Sequence, residues 1–277
     1  MSAVGPIGVF DSGYGGLTIL RQLQRAIPDA DFLYLGDNAR APYGTRSFDL
    51  VYNFTRQAVS HLFDEGCPLV ILACNTASAK ALRTIQQRDL PTWTDPSKRV
   101  LGVIRPTVEA LGSATQTGHV GLVATPGTIA SQSYILEVEK LFPAFTVHAQ
   151  ACPMWVPLVE YHQADSEGAD FFIKKDLDAL FSKHREIDTL VLGCTHYPLL
   201  IEKIRKYTPD GVNILSQGKI VADSLVDYLH RHPEIDSRIS RGSTSRYLTT
   251  ESPERFSSIA SHFIGSSVVA DSTVFKS

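Results

Sequence analysis

The sequence predicts an α/β protein made of two pseudosymmetric domains with mainly parallel central sheets and a functional cleft between them. Two observations carry that expectation. Short apolar runs recur at residues 7–10, 32–35, 69–73, 100–104, 120–123, 146–148, 190–192 and 213–215, with helical patterns between them. Strands alternating with helices pair in parallel, because a parallel pair needs a crossover long enough to hold a helix. The second half then repeats the first. "IGVFDSGYGGLTIL" from Ile7 is matched by "VGLVATPGTIASQSYIL" from Val120, and "LVILACNTASAKAL" from Leu69 by "LVLGCTHYPLLIEKI" from Leu190. The two matches keep their order and nearly the same offset.

Taken in chain order, the first run is a buried strand that empties into "DSGYGG" at residues 11–16. Leu17, Leu20, Leu23 and Ile27 follow at helical spacing, as do Val51, Phe54, Ala58 and Leu62 later in the chain. Between these helices the second run opens into "DNARAPYGTRS", where Pro42, Tyr43 and Gly44 set a turn whose backbone amides suit a carboxylate. The third run ends at Cys74. Residues 86–98, "QQRDLPTWTDPSK", have the polar, proline-containing composition of an inter-domain connection. A second crossing is expected near "TPDG" at residues 208–211. The first domain is therefore expected to hold residues 1–98 and 212–277, and the second 99–211. Near the end, "RYLTT" reads as a strand and "SPERFSSIASHF" as a helix capped by Ser252 with Pro253 at its first position.

Bulk properties narrow the function. The chain is 43% hydrophobic and 20% charged, with a formal net charge of -3. That balance gives no electrostatic reason to expect nucleic acid or an anionic membrane as partner. No apolar run approaches the ~18 residues that span a bilayer, and no leader-like segment opens the chain, so a cytoplasmic protein is expected. The four cysteines, Cys67, Cys74, Cys152 and Cys194, form no CxxC pair and read as free thiols of a reducing compartment.

Cys74 and Cys194 each stand where an apolar strand gives way to a helix, the end at which open α/β sheets bind ligands. A helix N-terminus there favours the thiolate. Asn75 and Thr76 follow one thiol, Thr195 and His196 the other. Halves related by an approximate two-fold axis bring the two thiols face to face across a cleft. Inverting a carbon stereocentre by proton exchange needs that arrangement: one group removes a proton from one face, and the other delivers a proton to the opposite face. Cys67 and Cys152 lack the context and are read as non-catalytic. "DSGYGG" has neither the spacing of a dinucleotide loop nor that of a P-loop. "CTH" lacks a partner pair at zinc-site spacing, so no metal is expected. A Cys-His hydrolase built on Cys194 and His196 leaves Cys74 without a role.

With these residues in place, the sequence resembles the glutamate racemases of the aspartate/glutamate racemase superfamily. The resemblance rests on "GVFDSGYGGL", "YLGDNARAPYG", "ACNTASA", "ATPGTIASQSY", "CPMWVPLVE" and "LGCTHYPLL", in that order, with "YLTTESPERF" extending it toward the C-terminus. It implies cofactor-independent interconversion of L- and D-glutamate, with D-glutamate supplying peptidoglycan synthesis. It also implies Cys74 and Cys194 as proton donor/acceptors, Asp11 beside the first, and His196 with Glu160 beside the second. Asp11, Ser12, Tyr43, Gly44, Asn75, Thr76, Thr195 and His196 are implied to hold the substrate. The expected partner is a small molecule, glutamate, rather than nucleic acid or membrane, and a homodimer is the default assembly. A racemase of aspartate or a related amino-acid derivative, and a non-catalytic regulatory binding protein on the same scaffold, stand as alternatives.

Overall fold

The computed structural model describes residues 4–275. Its strands are β1 (Ile7–Asp11), β2 (Phe32–Gly36), β3 (Leu69–Leu72), β4 (Arg99–Gly102) and β5 (His119–Ala124). They continue with β6 (Thr146–Ala151), β7 (Thr189–Gly193), β8 (Asn213–Leu215), β9 (Ser245–Thr249) and β10 (Asp271–Ser272). One sheet has the order β10-β9-β2-β1-β3-β4 and the other β6-β5-β7-β8, and every pairing is parallel.

The repeat read from the sequence is visible in the winding. The stretch β2-β1-β3-β4 has the same order as β6-β5-β7-β8, so β1 corresponds to β5 and β3 to β7. Central strands are apolar on both faces because helices cover both. Every residue of β1, β2, β3 and β7 is buried.

Both expected crossings move by one strand. β4 pairs with β3 from Leu69↔Arg99 to Leu72↔Gly102, so the chain leaves the first sheet after Gly102. Ile104, expected at a strand end, instead opens the helix Ile104–Ala114, whose Val108 and Leu111 pack with Val120 and Leu122 of the second sheet. Residues 86–98 are thus a crossover inside the first half. Asp89 accepts hydrogen bonds there from Tyr52 and Arg56, and Trp93 stands edge-on to Phe63 at 5.1 Å. Polar, proline-containing composition marks surface chain of either kind, and cannot tell a crossover from a link. Likewise the 208–211 turn leads into β8, which pairs with β7, and the return crossing follows Leu215. The helix Gln217–Arg231 then packs on the helix Leu17–Ala26.

The C-terminal reading matches the structure. "RYLTT" lies in β9 up to Thr249, and Ser252 Oγ accepts the Arg255 N–H at 3.2 Å at the start of the helix Pro253–Ile264. The largest apolar cluster runs through both halves. It joins Ile7, Val9 and Leu17 to Cys194, Tyr197, Ile173 and Leu177.

Candidate active site

Cys74 follows β3 and is the N-cap of the helix Asn75–Lys80. Its Sγ accepts the Ala77 N–H at 3.4 Å and lies 3.6 Å from Ser12 Oγ. A cap in extended conformation needs a side-chain acceptor, and a thiol fills that place here. The thiol is 6% exposed. Burial first, and the neighbouring Asp11 charge second, push it up to about 12, against the pull of the Ala77 N–H and Ser12. Asp11 ends β1. Its Oδ2 accepts the Gly13 N–H at 2.9 Å, while the buried Oδ1 has no partner among the described residues. Burial raises the Asp11 carboxyl, and the His196 charge opposes that shift.

Cys194 follows β7, the strand equivalent to β3, and is also 6% exposed. His196 Nδ1 lies 3.9 Å from its Sγ, and His196 Nε2 lies 3.0 Å from Glu160 Oε1. Burial works against a charged imidazole. Hydrogen bonds to Cys194 and Glu160 outweigh it and raise His196 from 6.5 to about 10, so the ring is cationic at neutral pH. Glu160 comes from the helix Trp155–Glu160, anchored by the fully buried Trp155 against Tyr197. One surrounding is acidic and the other holds an imidazolium.

The loop "DSGYGG" touches both. Thr18 Oγ1 donates to Gly15 O at 2.8 Å and approaches Thr195 O at 3.1 Å, tying the loop to the turn after Cys194. A Cβ on Gly15 would stand 2.2 Å from Thr195 Oγ1 and 2.4 Å from His196 Nδ1, so only glycine permits this approach. The electrostatics agree: Cys74 responds to Cys194, and Asp11 to His196 and Glu160.

The remaining expected residues are present with most of their side-chain polar groups engaged by protein. Tyr43 is buried and donates to Asp37. Gly44 O accepts the Gly127 N–H at 2.8 Å, joining the 37–47 loop to the second half. Thr76 Oγ1 lies 3.0 Å from Thr125 Oγ1 and 3.2 Å from Thr128 Oγ1. Asn75 Nδ2 donates to Gln217 Oε1 at 2.6 Å, and Asn75 Oδ1 accepts from Tyr134 at 2.7 Å. What Asn75 and Thr76 retain for a ligand is their backbone N–H groups, which in a first helical turn have no intrahelical acceptor. Cys67 lies before β3, at the end away from Cys74, and Cys152 follows β6. Burial raises both thiols, Cys67 to about 12.

Comparison with known proteins decides the family. The Asp/Glu/Hydantoin racemase model matches residues 8–225. The chain belongs to that family. A glutamate racemase of Ruegeria sp. (strain TM1040) is 43% identical over 269 residues, 93% of this chain and 96% of the relative. A crystal structure of a glutamate racemase isoform from Bacillus anthracis superposes with a TM-score of 0.88 at 34% identity, covering 98% of this chain and 97% of that one. Glutamate racemase from Francisella tularensis, solved in complex with D-glutamate, gives 0.85 at 31% identity, with coverage of 98% and 97%.

Gln217, Tyr134, Asp37, Thr125 and Thr128 also line this region, and no sequence motif assigns them a role. Gln217 Nε2 donates to Thr107 at 2.8 Å and to Tyr134 at 2.7 Å, so one buried amide links both halves through Asn75. A lone glutamine after a short strand carries no motif. Thr125 and Thr128 lie inside "ATPGT", and Asp37 opens "DNARAPYG", so the motifs mark the place but not which members bond.

Proposed function

We propose that this protein interconverts L- and D-glutamate without a cofactor, by proton exchange at Cα between Cys74 on one face and Cys194 on the other. The observation that carries the reading is the pair of equally buried thiols at equivalent strand ends of two sheets wound alike. In the L-to-D direction Cys194, as thiolate, takes the Cα proton and becomes a thiol. The electron pair left at Cα is delocalised into the carboxylate, and Cys74 delivers its own proton to the opposite face, ending as thiolate. The D-to-L direction exchanges the roles.

The neighbours suit these tasks. The unpartnered Asp11 Oδ1 is a free acceptor for the substrate ammonium, whose charge brings the raised Asp11 carboxyl and Cys74 thiol back down. Ser12, Thr195 and the first-turn N–H groups after Cys74 supply donors for carboxylate oxygens, where negative charge develops in the transition state. His196, held by Glu160, keeps a positive charge beside Cys194. Tyr43 and Gly44 brace the loop that closes the first half on the second. The reading extends to a cytoplasmic enzyme that supplies D-glutamate for peptidoglycan, working as a homodimer. Among the described residues no helix is long and apolar enough to cross a membrane.

The test is Cα exchange in heavy water, started separately from each glutamate enantiomer with no added cofactor. Deuterium at Cα and decay of optical rotation from both sides are expected. Aspartate and N-substituted derivatives, run beside glutamate, separate the alternative substrates. Binding of glutamate without exchange would favour the regulatory alternative.

A further inference from the structure

Three histidines meet at the edge of the second sheet farthest from the thiols. His119 begins β5, His148 lies in β6, and His184 sits in the turn between the helix Glu167–Phe181 and β7. The register pairs His148 with Gly121, so His119 and His148 are diagonal neighbours on one face of two parallel strands. The turn brings His184 over them. Its ring stacks on His119 with centroids 3.8 Å apart and lies 5.0 Å from that of His148. One ligating nitrogen from each ring lies within 4.8 Å of the others, and all three residues are half-buried with a path to solvent.

The rings are stacked on one another, and the closest nitrogen pair is held by a hydrogen bond that a metal ion can replace. His119 Nδ1 and His148 Nε2 are 3.1 Å apart. Metal–nitrogen bonds of about 2.0–2.1 Å in a tetrahedron set ligand atoms roughly 3.4 Å apart, so this pair already has the required separation. Bringing in the third nitrogen requires the His184 ring to turn out of the stack. That torsion joins a tetrahedral carbon to a flat ring and is soft. His184 Nδ1 accepts the Glu186 N–H at 3.2 Å, a surface hydrogen bond that water can replace if this nitrogen ligates. Glu186 Oε2 stands 3.7 Å from His119 Nε2, the ring nitrogen that faces away from His148, and can orient that ring. Two cations flank His184: Lys183 is directed onto Ala149 O and Gln150 Oε1 of β6, and Arg185 is exposed to solvent.

We propose that His119, His148 and His184 bind a divalent transition metal ion of the zinc, cobalt or nickel class, with water as the fourth ligand. Imidazole nitrogens suit this class over calcium or magnesium, which take oxygen ligands. The ion joins β5, β6 and the turn before β7, at the opposite end of β7 from Cys194. It therefore acts as a clamp on the second half, with no part in proton transfer. Because it binds the folded arrangement, it raises thermal stability by mass action. The spacing of these histidines along the chain follows no metal motif, and only the sheet register and the turn before β7 bring them together.

Untagged, chelator-treated protein titrated with Co2+ alone tests the site. Saturation at one equivalent per chain is expected, with visible d–d bands and no sulfur-to-metal charge transfer, and Zn2+ alone should raise the thermal midpoint. Loss of a mere supporting partner costs about 10–100-fold in metal affinity, so His148→Ala and His184→Ala should each weaken Co2+ binding at least ~100-fold. Both variants should keep wild-type circular dichroism. His184→Ala, in a turn, keeps the test valid if the strand variant fails to fold. Absence of saturation at one equivalent overturns the proposal. So do sulfur charge-transfer bands that vanish in Cys194→Ala while His184→Ala binds as wild type.

Discussion

Cys74 and Cys194 hold equivalent places in two sheets wound alike, yet their surroundings carry opposite charge. Beside Cys74 stands Asp11, which together with burial pushes the thiol up to about 12. Beside Cys194 stands His196, whose own raised proton affinity, about 10, rests on that sulfur and on Glu160. The fold supplies position, and the neighbours supply proton affinity. In the proposed two-base exchange one thiol is loaded while the other is empty. Unlike neighbours, Asp11 against His196 with Glu160, bias which thiol holds the proton.

The largest expected effect comes from removing either thiol. General acid–base catalysis contributes about 10²–10⁴-fold per group, so Cys74→Ala and Cys194→Ala should each lower racemisation at least ~10²-fold. Polarimetry from both enantiomers measures this, and wild-type turnover in either variant would refute the two-base reading. The comparison sharpens through a thermodynamic constraint. Enantiomers in water have equal free energy, so kcat/KM must be equal in the two directions for every variant. Unlike surroundings can therefore show only in kcat and KM taken separately, or in isotope effects measured from each side.

Gly15 tests whether the two surroundings are truly joined. Gly15→Ala places a methyl group 2.2 Å from Thr195 Oγ1 and 2.4 Å from His196 Nδ1. Overpacking of this kind costs about 1–3 kcal/mol, and the displaced imidazole should lower kcat roughly 10–100-fold. A denaturant midpoint and steady-state rates on the same sample separate the two losses. If activity survives while stability falls, the loop from the first half does not position the second thiol's partner.

Much of this was legible in the sequence, and the reasons differ by element. Strands and helices announced themselves through apolar periodicity, and Cys74 and Cys194 through their matched position after "LVILA" and "LVLG". The crossings were misplaced because β4 and β8 are short strands on the far edge of each sheet. Neither their composition nor that of residues 86–98 says which sheet they join. Gln217 was illegible for another reason. Its hydrogen bonds to Asn75, Thr107 and Tyr134 link residues far apart in sequence, and no local pattern encodes a network closed only by folding. The pairing of Glu160 with His196 became derivable only through the family resemblance.

A smaller effect is expected at Glu160. Glu160→Gln removes the anion 3.0 Å from His196 Nε2 and should bring the imidazole down from about 10 toward 6.5. The alkaline limb of the rate profile should move to lower pH, with kcat at neutral pH falling ~10-fold. Stability follows with a definite sign. A group raised on folding contributes fully below its unfolded value of about 6.5, and that contribution fades as pH climbs through about 10. Wild type should therefore lose stability between these limits more steeply than Glu160→Gln, as denaturant midpoints across that range can show. Parallel curves would mean that His196 does not depend on Glu160.

Asp11 should give the smallest change in stability, with the opposite sign. Burial raises its carboxyl above 3.8, so folding favours the protonated form, and any stability this brings is lost as pH rises through the folded value. Above that folded value the ionised side chain, with Oδ1 unpartnered, costs the fold free energy. Asp11→Asn keeps an acceptor for the Gly13 N–H and removes the charge. It should stabilise the protein by about 1 kcal/mol at pH 8 and by less at pH 4, while weakening glutamate binding through loss of the ammonium partner. Denaturant midpoints at the two pH values, set beside KM, test both halves of the expectation. A variant destabilised equally at both pH values would show that the Asp11 charge is satisfied in the resting fold. The acidic surrounding of Cys74 would then be part of the scaffold, and the contrast with His196 would shrink to a single side.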